Sequence, residues 1–250
     1  MVINMKKKEY GVKIENLTKN YKNGKRVKKK VFENLNIEFE SEKIHCVLGV
    51  SGCGKSTLLR IIAGLEEIES GNIIFKDGLE KDNNIFISMI LQENNLLPWL
   101  TVYQNIEFAL KSCNLNTEES YIDEVLEKHN LLEYKKFYPF ELSVGLKQKV
   151  SLCKAIVTKP KIVLLDEPFC ALDFISKENI HEIFLNEFSK EQFTSILSTH
   201  YLDEAVKLGD YIHLLGKDNK YIKIINPLKY PREKDKNYHE FLEKIKNLYV

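Results

Sequence analysis

Gly49-Val50-Ser51-Gly52-Cys53-Gly54-Lys55-Ser56-Thr57 fits the spacing G-x-x-x-x-G-K-[ST]. It follows the apolar stretch 44–48, which reads as a buried strand, and opens the helix-like segment 56–63. That strand–loop–helix context makes the run a phosphate-binding loop rather than a plain glycine-rich turn. Its glycines let the backbone approach an anion with several N–H groups, and the helix start adds partial positive charge. Lys55 is placed for the β- and γ-phosphates of a nucleotide and the Ser56 hydroxyl for Mg²⁺. ATP and Mg²⁺ are therefore the expected ligands, with the whole run from Gly49 to Thr57 as the binding segment.

A second site signal lies downstream. Ile162-Val163-Leu164-Leu165-Asp166-Glu167 is an apolar strand that ends in two carboxylates. Asp166, delivered at the strand's end, suits the Mg²⁺ shell, and Glu167 is left to orient an attacking water. The competing reading is a strand followed by an ordinary acidic turn.

Around these two segments the pattern alternates between strand and helix. Residues 9–21 and 31–40 alternate apolar and polar side chains about Asn23-Gly24, which predicts antiparallel strands. Residues 72–76 and 85–91 are further strands, separated by the turn Lys76-Asp77-Gly78. Helical periodicity takes over at 102–112, 118–130 and 144–157. Short buried strands return at 161–165 and 194–198 with a helix at 174–189 between them, and 211–215 with 221–225 reads as a late hairpin. Pro227 and Pro231 open a charged tail whose residues 233–250 are expected to dock as a helix. The expected fold is α/β: a mixed-sheet core with an antiparallel β subdomain (1–95 and 152–226), a helical subdomain (96–151) and a tail (227–250).

Composition narrows the function classes. With 37 basic and 36 acidic side chains the net charge is +1, so no global field recruits nucleic acid or anionic lipid. The densest basic run, Lys25-Arg26-Val27-Lys28-Lys29-Lys30, reads as the solvated tip of a hairpin; the alternative is a phosphate- or nucleic-acid-facing role. Five cysteines without C-x-x-C or metal spacing suit a reducing compartment. No apolar run approaches the length of a membrane span, so membrane contact is expected only through a partner.

With these motifs in order, the chain resembles the ATP-binding subunit of an ABC transporter from about Tyr10 to Arg232. Gln92 in Leu91-Gln92-Glu93 matches the Q-loop, and Leu142-Ser143-Val144-Gly145-Leu146-Lys147-Gln148 the signature motif. Ala171-Leu172-Asp173 matches the D-loop, His200 the switch histidine, and Tyr21 the aromatic that stacks on adenine. The resemblance implies a P-loop NTPase core with a RecA-like sheet, and an ATPase that works as a head-to-tail homodimer. Ser143 and Gly145 would meet the γ-phosphate of a nucleotide held by the other copy, and Asp173 would communicate between sites. Glu167 would polarise the attacking water, His200 contact the γ-phosphate, and Lys55 and Gln92 complete the catalytic set. Ser56, Gln92 and Asp166 would serve the metal. Val144 stands where the family usually has Gly and Leu146 where it has Gln or Met. An active ATPase is expected, slowed if the Val144 branch holds the facing nucleotide away.

The stretch from Leu91 to Val102, with Asn105-Ile106, is similar to ATPases of nitrate, sulfonate and taurine importers and their pyrimidine-precursor relatives. That implies integral membrane permease subunits and, through them, a solute-binding protein, with the chain peripheral on the cytoplasmic face of the membrane. Trp99 is either an apolar anchor for a permease coupling helix or a core residue of the helical subdomain. Leu215-Gly216-Lys217-Asp218 lacks the Pro-Gly turn common in that group. The alternatives are a cytosolic ABC ATPase acting on soluble partners, of the iron–sulfur assembly type, and a non-hydrolysing nucleotide-binding module that regulates a partner.

Overall fold

A computed structural model of the chain describes residues 10–23, 26–75, 87–93, 95–216 and 220–249. The turn Lys76-Asp77-Gly78, the start of the strand expected at 85, and Lys217-Asp218 lie outside the described residues. So do Lys25 and the side chains of Arg26, Val27 and Lys28 in the basic run.

β1 (Tyr10–Asn23) and β2 (Arg26–Glu40) form a long antiparallel hairpin. Alternation places Val12 and Ile14 of β1 and Leu35, Ile37 and Phe39 of β2 in the core, and register shifts between Ile14 and Leu17 and between Leu17 and Lys19 let Leu17 and Phe32 join them. β3 (Ile44–Leu48), buried at every position, leads into the phosphate loop and α1 (Lys55–Ile62). β4 (Ser70–Phe75) returns to pair with β1. After β5 (Ile87–Ile90) come the helices α2 (Val102–Ser112), α3 (Glu119–Lys128) and α4 (Val144–Ile156). Then follow β6 (Ile162–Asp166), α5 (Phe174–Glu191), β7 (Thr194–Thr199), α6 (Leu202–Leu208), β8 (Tyr211–Leu215), β9 (Tyr221–Ile225) and α7 (Lys236–Tyr249).

The strands make two sheets, one of three in the order β2-β1-β4 and one of six in the order β5-β6-β7-β3-β8-β9. In the larger sheet the pairs from β5 to β8 are parallel and only β9 is antiparallel. Helices cover one face of this sheet and α1 with the three-stranded sheet the other, which is why β3, β6 and β7 are buried end to end and, apart from His45 and Asp166, read as apolar or small-residue runs.

Three apolar clusters hold the molecule together. One lies between the six-stranded sheet and α4, α5, α6 and α7, and includes Phe169, Phe184, Phe193 and Tyr238. The second joins that sheet's other face to the three-stranded sheet and α1. The third, around Ile106, Leu110, Ile122 and Leu126, belongs to the helical region. Helix α4 takes part in two of them: Val150, Cys153 and Val157 face the helical cluster, while Leu152, Ala155 and Ile156 face the sheet. Trp99 is in none of them and stands 69% exposed, so the core reading of that residue is set aside.

Several boundaries differ from expectation for local reasons. β2 begins at Arg26 rather than at 31, because Lys29 and Lys30 pair with Tyr21 and Asn20 although their own sequence shows no alternation. α3 ends two residues early, and Asn130 takes a left-handed conformation (φ +50°) that stops the helix. At the chain's end α7 docks on α6: the buried Tyr238 hydroxyl donates to the Asp203 backbone oxygen (2.9 Å) and carboxylate (2.8 Å).

Candidate nucleotide site

The sheet order brings four separate segments to one edge. The phosphate loop leaves the carboxyl end of β3, His200 follows β7, Asp166 ends β6, and Gln92 lies just past β5. The register sets Asp166 level with Ser198 and Ser198 level with Val47, so the acidic strand end lies beside the start of the loop. Ligands of open parallel sheets bind at such a carboxyl edge.

Within the loop, Gly54 has φ +110°, and a β-carbon there would stand 2.7 Å from the Phe32 ring. Both facts demand glycine. Helix α1 starts from it without a side-chain cap, which leaves its first N–H groups to an anion. The Lys55 side chain is 4% exposed. Its ammonium donates to the Gly49 oxygen (2.8 Å) and the Val50 oxygen (3.4 Å) and pairs with Glu167 Oε1 (3.2 Å).

Glu167 is held at φ +45°. Its N–H donates to the Ser198 carbonyl (3.2 Å) and hydroxyl (3.0 Å), which fixes the residue in an uncommon backbone region. One carboxylate oxygen meets Lys55 and the other meets His200 Nδ1 at 3.1 Å. Glu167 thus links the phosphate-loop lysine to the histidine after β7.

Beside it, the Ser56 hydroxyl donates to Asp166 Oδ1 at 2.8 Å, and the Ser198 hydroxyl donates to the same oxygen at 2.7 Å. Asp166 is almost fully buried and reaches the cavity only through Ser56. A hydroxyl and a carboxylate, both hard oxygen donors, fit Mg²⁺. No group of three or more His, Cys, Asp or Glu side chains suited to a metal exists among the described residues. The donor set therefore fits an ion carried largely by phosphate and water oxygens, as Mg²⁺ commonly is.

Tyr21, Lys29, Val31, the loop from Ser51, Gln92 and Glu167 enclose a cavity of about 220 Å³. The Tyr21 hydroxyl lies 3.1 Å from Thr57 Oγ1, and burial first, then Glu66, pushes its phenol above the ordinary range. Gly49, Val50 and Cys53 do not line the cavity. The first two act through their carbonyls on Lys55, and Cys53 packs into the second apolar cluster, where burial raises its thiol and leaves it unreactive.

Ser143, Gly145 and Asp173 are not brought to this cavity. Ser143 caps α4, its hydroxyl accepting from Leu146 N–H at 3.3 Å. Asp173 caps α5 by accepting from Ser176 N–H (3.0 Å) and its hydroxyl (2.6 Å), and these bonds hold its carboxyl below the usual range. A β-carbon on Gly145 would stand 3.3 Å from Ser176 Oγ, so the two capped helix starts lie side by side. Val144 projects half-exposed from that surface, whereas Leu146 packs against the helical cluster.

Two residues of the site carry no signal of their own in the sequence. Ser198 is one of several small residues in a buried strand, and Lys29 belongs to the basic run read first as a solvated tip, a phosphate-facing role being only the alternative. Lys29 Nζ donates to the Gly52 carbonyl at 2.8 Å.

A family model described as ABC transporter matches residues 32–170. The chain is 37% identical over 222 residues to the aliphatic sulfonates import ATP-binding protein of Bacillus cereus, covering 86% of each. It is 37% identical over 199 residues to the nitrate import ATP-binding protein of a Synechocystis species, covering 77% of this chain and 73% of that one. The solved structure of a dimeric bacterial ABC transporter cassette superposes with a TM-score of 0.75 at 25% identity, covering 87% of this chain and all of the other.

Proposed function

The chain belongs to the ABC transporter family, and from that membership together with the cavity's geometry we propose that it is the ATP-hydrolysing subunit of an importer. The observation that carries the reading is the joining of Lys55, Glu167 and His200 in one hydrogen-bonded chain beside the Ser56–Asp166 pair.

ATP enters with its adenine against Tyr21 and its phosphates in the loop. The phosphate oxygens compete for the Lys55 ammonium and draw it from Glu167. Glu167 is then left facing the cavity, where it orients a water on the γ-phosphate and accepts its proton, while His200 holds the carboxylate's other oxygen in place and contacts the γ-phosphate. Ser56, Asp166 and Gln92 would hold Mg²⁺, which when bound supplies positive charge at the β- and γ-oxygens. The products are ADP and phosphate.

Ser143 and Gly145, at the start of α4, act on the nucleotide of a second copy, with Asp173 beside them relaying between the two sites. A head-to-tail pair of chains satisfies both requirements. The described residues within 1–95 and 152–226 make the RecA-like core with its antiparallel β subdomain, those within 96–151 the helical subdomain and those within 227–250 the tail.

Permease subunits provide the membrane contact, as the importer names of the sulfonate and nitrate relatives suggest; no helix among the described residues is long and apolar enough to cross a bilayer. Their coupling helix would use the cavity of about 430 Å³ between β5, α2 and α4, which includes Met89, Phe108 and Lys154. Trp99, exposed just before α2, is a ready apolar anchor. The chain is peripheral on the cytoplasmic face. Cargo is a small solute of the sulfonate or nitrate class, delivered through a solute-binding protein.

The test is steady-state hydrolysis. Purified protein should turn over ATP, and Glu167→Gln should bind ATP but lose at least about a hundredfold in turnover. Equal turnover by the two would overturn the reading. Co-purification with an integral membrane subunit separates the importer from an ATPase of soluble partners.

A further inference from the structure

We propose that Lys29 is a second cation of the nucleotide site, contacting the α–β side of the phosphate chain; this rests on the ATP-binding reading above. Lys29 and Tyr21 are direct cross-strand partners in the β1–β2 hairpin. Directly opposed residues of an antiparallel pair project from the same face. The lysine therefore stands beside the aromatic assigned to adenine, and both contribute to the wall of the same cavity. The Tyr21 hydroxyl reaches Thr57 at the far end of the loop, while Lys29 Nζ reaches Gly52 in its middle.

The charge pattern points the same way. Lys55 is paired with Glu167, Lys19 with Glu66 at 3.1 Å, and Lys30 with Glu33 at 3.4 Å. Lys29 has no carboxylate partner among the described residues, and its hydrogen bond goes to a neutral carbonyl. The ammonium lies against Gly52, whose φ of +77° suits glycine; a β-carbon there would be in ordinary contact with it at 3.5 Å. A polyphosphate is a stronger acceptor for an ammonium than one carbonyl, because it adds full negative charge to the acceptor side of the bond. The lysine's flexible stem lets its ammonium swing from Gly52 to a phosphate oxygen as a point charge, without the fixed fork an arginine would impose.

The experiment is calorimetric titration of the full chain with ATP and with ADP. It compares wild type, Lys29→Met, Lys29→Arg and the neighbouring control Lys30→Met. Lys29→Met should weaken ATP and ADP alike by about five- to tenfold at low ionic strength. That loss should shrink at about 0.5 M salt, since the contact is exposed and screened. Lys29→Arg should keep ATP affinity within about twofold of wild type, and the control Lys30→Met should match wild type in affinity, thermal melt and kcat at saturating ATP. Lys29→Gln, which also removes the charge, repeats the measurement should the methionine variant fold poorly. Affinity within twofold of wild type in a charge-removing variant overturns the proposal. So does a loss confined to ATP, which would place the lysine at the γ-phosphate, or a loss indifferent to salt. A wild-type chain that binds no ATP instead overturns the nucleotide reading itself.

Discussion

At the scale of single residues, the site depends on backbone placements that side chains then lock. Gly54→Ala meets a forbidden φ and the Phe32 ring together. It should lower stability by more than about 1 kcal/mol, seen as a drop of several degrees in Tm, and should abolish ATP binding in the same titration. Ser198→Ala removes one of two hydroxyls on Asp166 Oδ1 and one of two acceptors for Glu167 N–H. About 1 kcal/mol of stability should go with it. Turnover should fall roughly tenfold with little change in ATP affinity, since Glu167 loses its fixed aim while the loop is untouched. The loop was legible in the sequence because its chemistry is spaced within nine consecutive residues. Ser198 was not, and Lys29 was legible only as one of six residues in a basic run with an alternative phosphate-facing role. Ser198 meets Asp166 across 32 positions and Lys29 meets Gly52 across 23, distances that only strand pairing closes.

Elements show the same division between local and distant causes. α2 was placed at its observed bounds, and its start carries a signal within four residues: Thr101 accepts from Gln104 N–H while the Gln104 side chain accepts from Thr101 N–H. The early start of β2 had no such signal, since its lysines become strand only by pairing with β1. α6, which begins two residues after His200, is gripped from two sides through adjacent carboxylates. Asp203 takes Lys234 and Tyr238 from the tail, and Glu204 takes Lys177 and His181 from α5. Burial opposes the charge on Glu204, yet the neighbouring His181, Lys177 and Thr199 hold its carboxyl below the usual range. Tyr238→Phe keeps the packing and removes the hydroxyl, so it should cost about 1–2 kcal/mol in chemical denaturation. Tyr238→Ala also empties a fully buried position and should cost about 3–5 kcal/mol.

On the scale of the whole molecule, sheet order decides what sequence could not, including a buried histidine pair. His45 on β3 and His213 on β8 lie 168 positions apart with ring nitrogens 2.9 Å from each other. The Glu40 carbonyl can only accept, so His45 Nε2 donates to it; His45 Nδ1 then accepts from His213 Nε2, and His213 Nδ1 accepts from the Tyr221 hydroxyl. Both rings are fixed neutral, and burial lowers both, His45 to about 3 and His213 well below its ordinary value. Glu40, Lys223 and Tyr211 surround the pair. In the unfolded chain these rings take up protons near pH 6.5. Their contribution to stability is therefore complete above that pH and declines as pH falls toward about 3, by up to about 1.4 kcal/mol per pH unit per ring. Urea midpoints measured at pH 7, 6 and 5 should show the decline, and His213→Gln should flatten it even as it lowers the midpoint. The separation of the α4 and α5 caps from the phosphate cavity has a last consequence, for kinetics. If each copy finishes its neighbour's chemistry, specific activity in dilute solution rises with enzyme concentration, and blending wild type with Glu167→Gln depresses the rate beyond simple dilution, because mixed pairs are crippled.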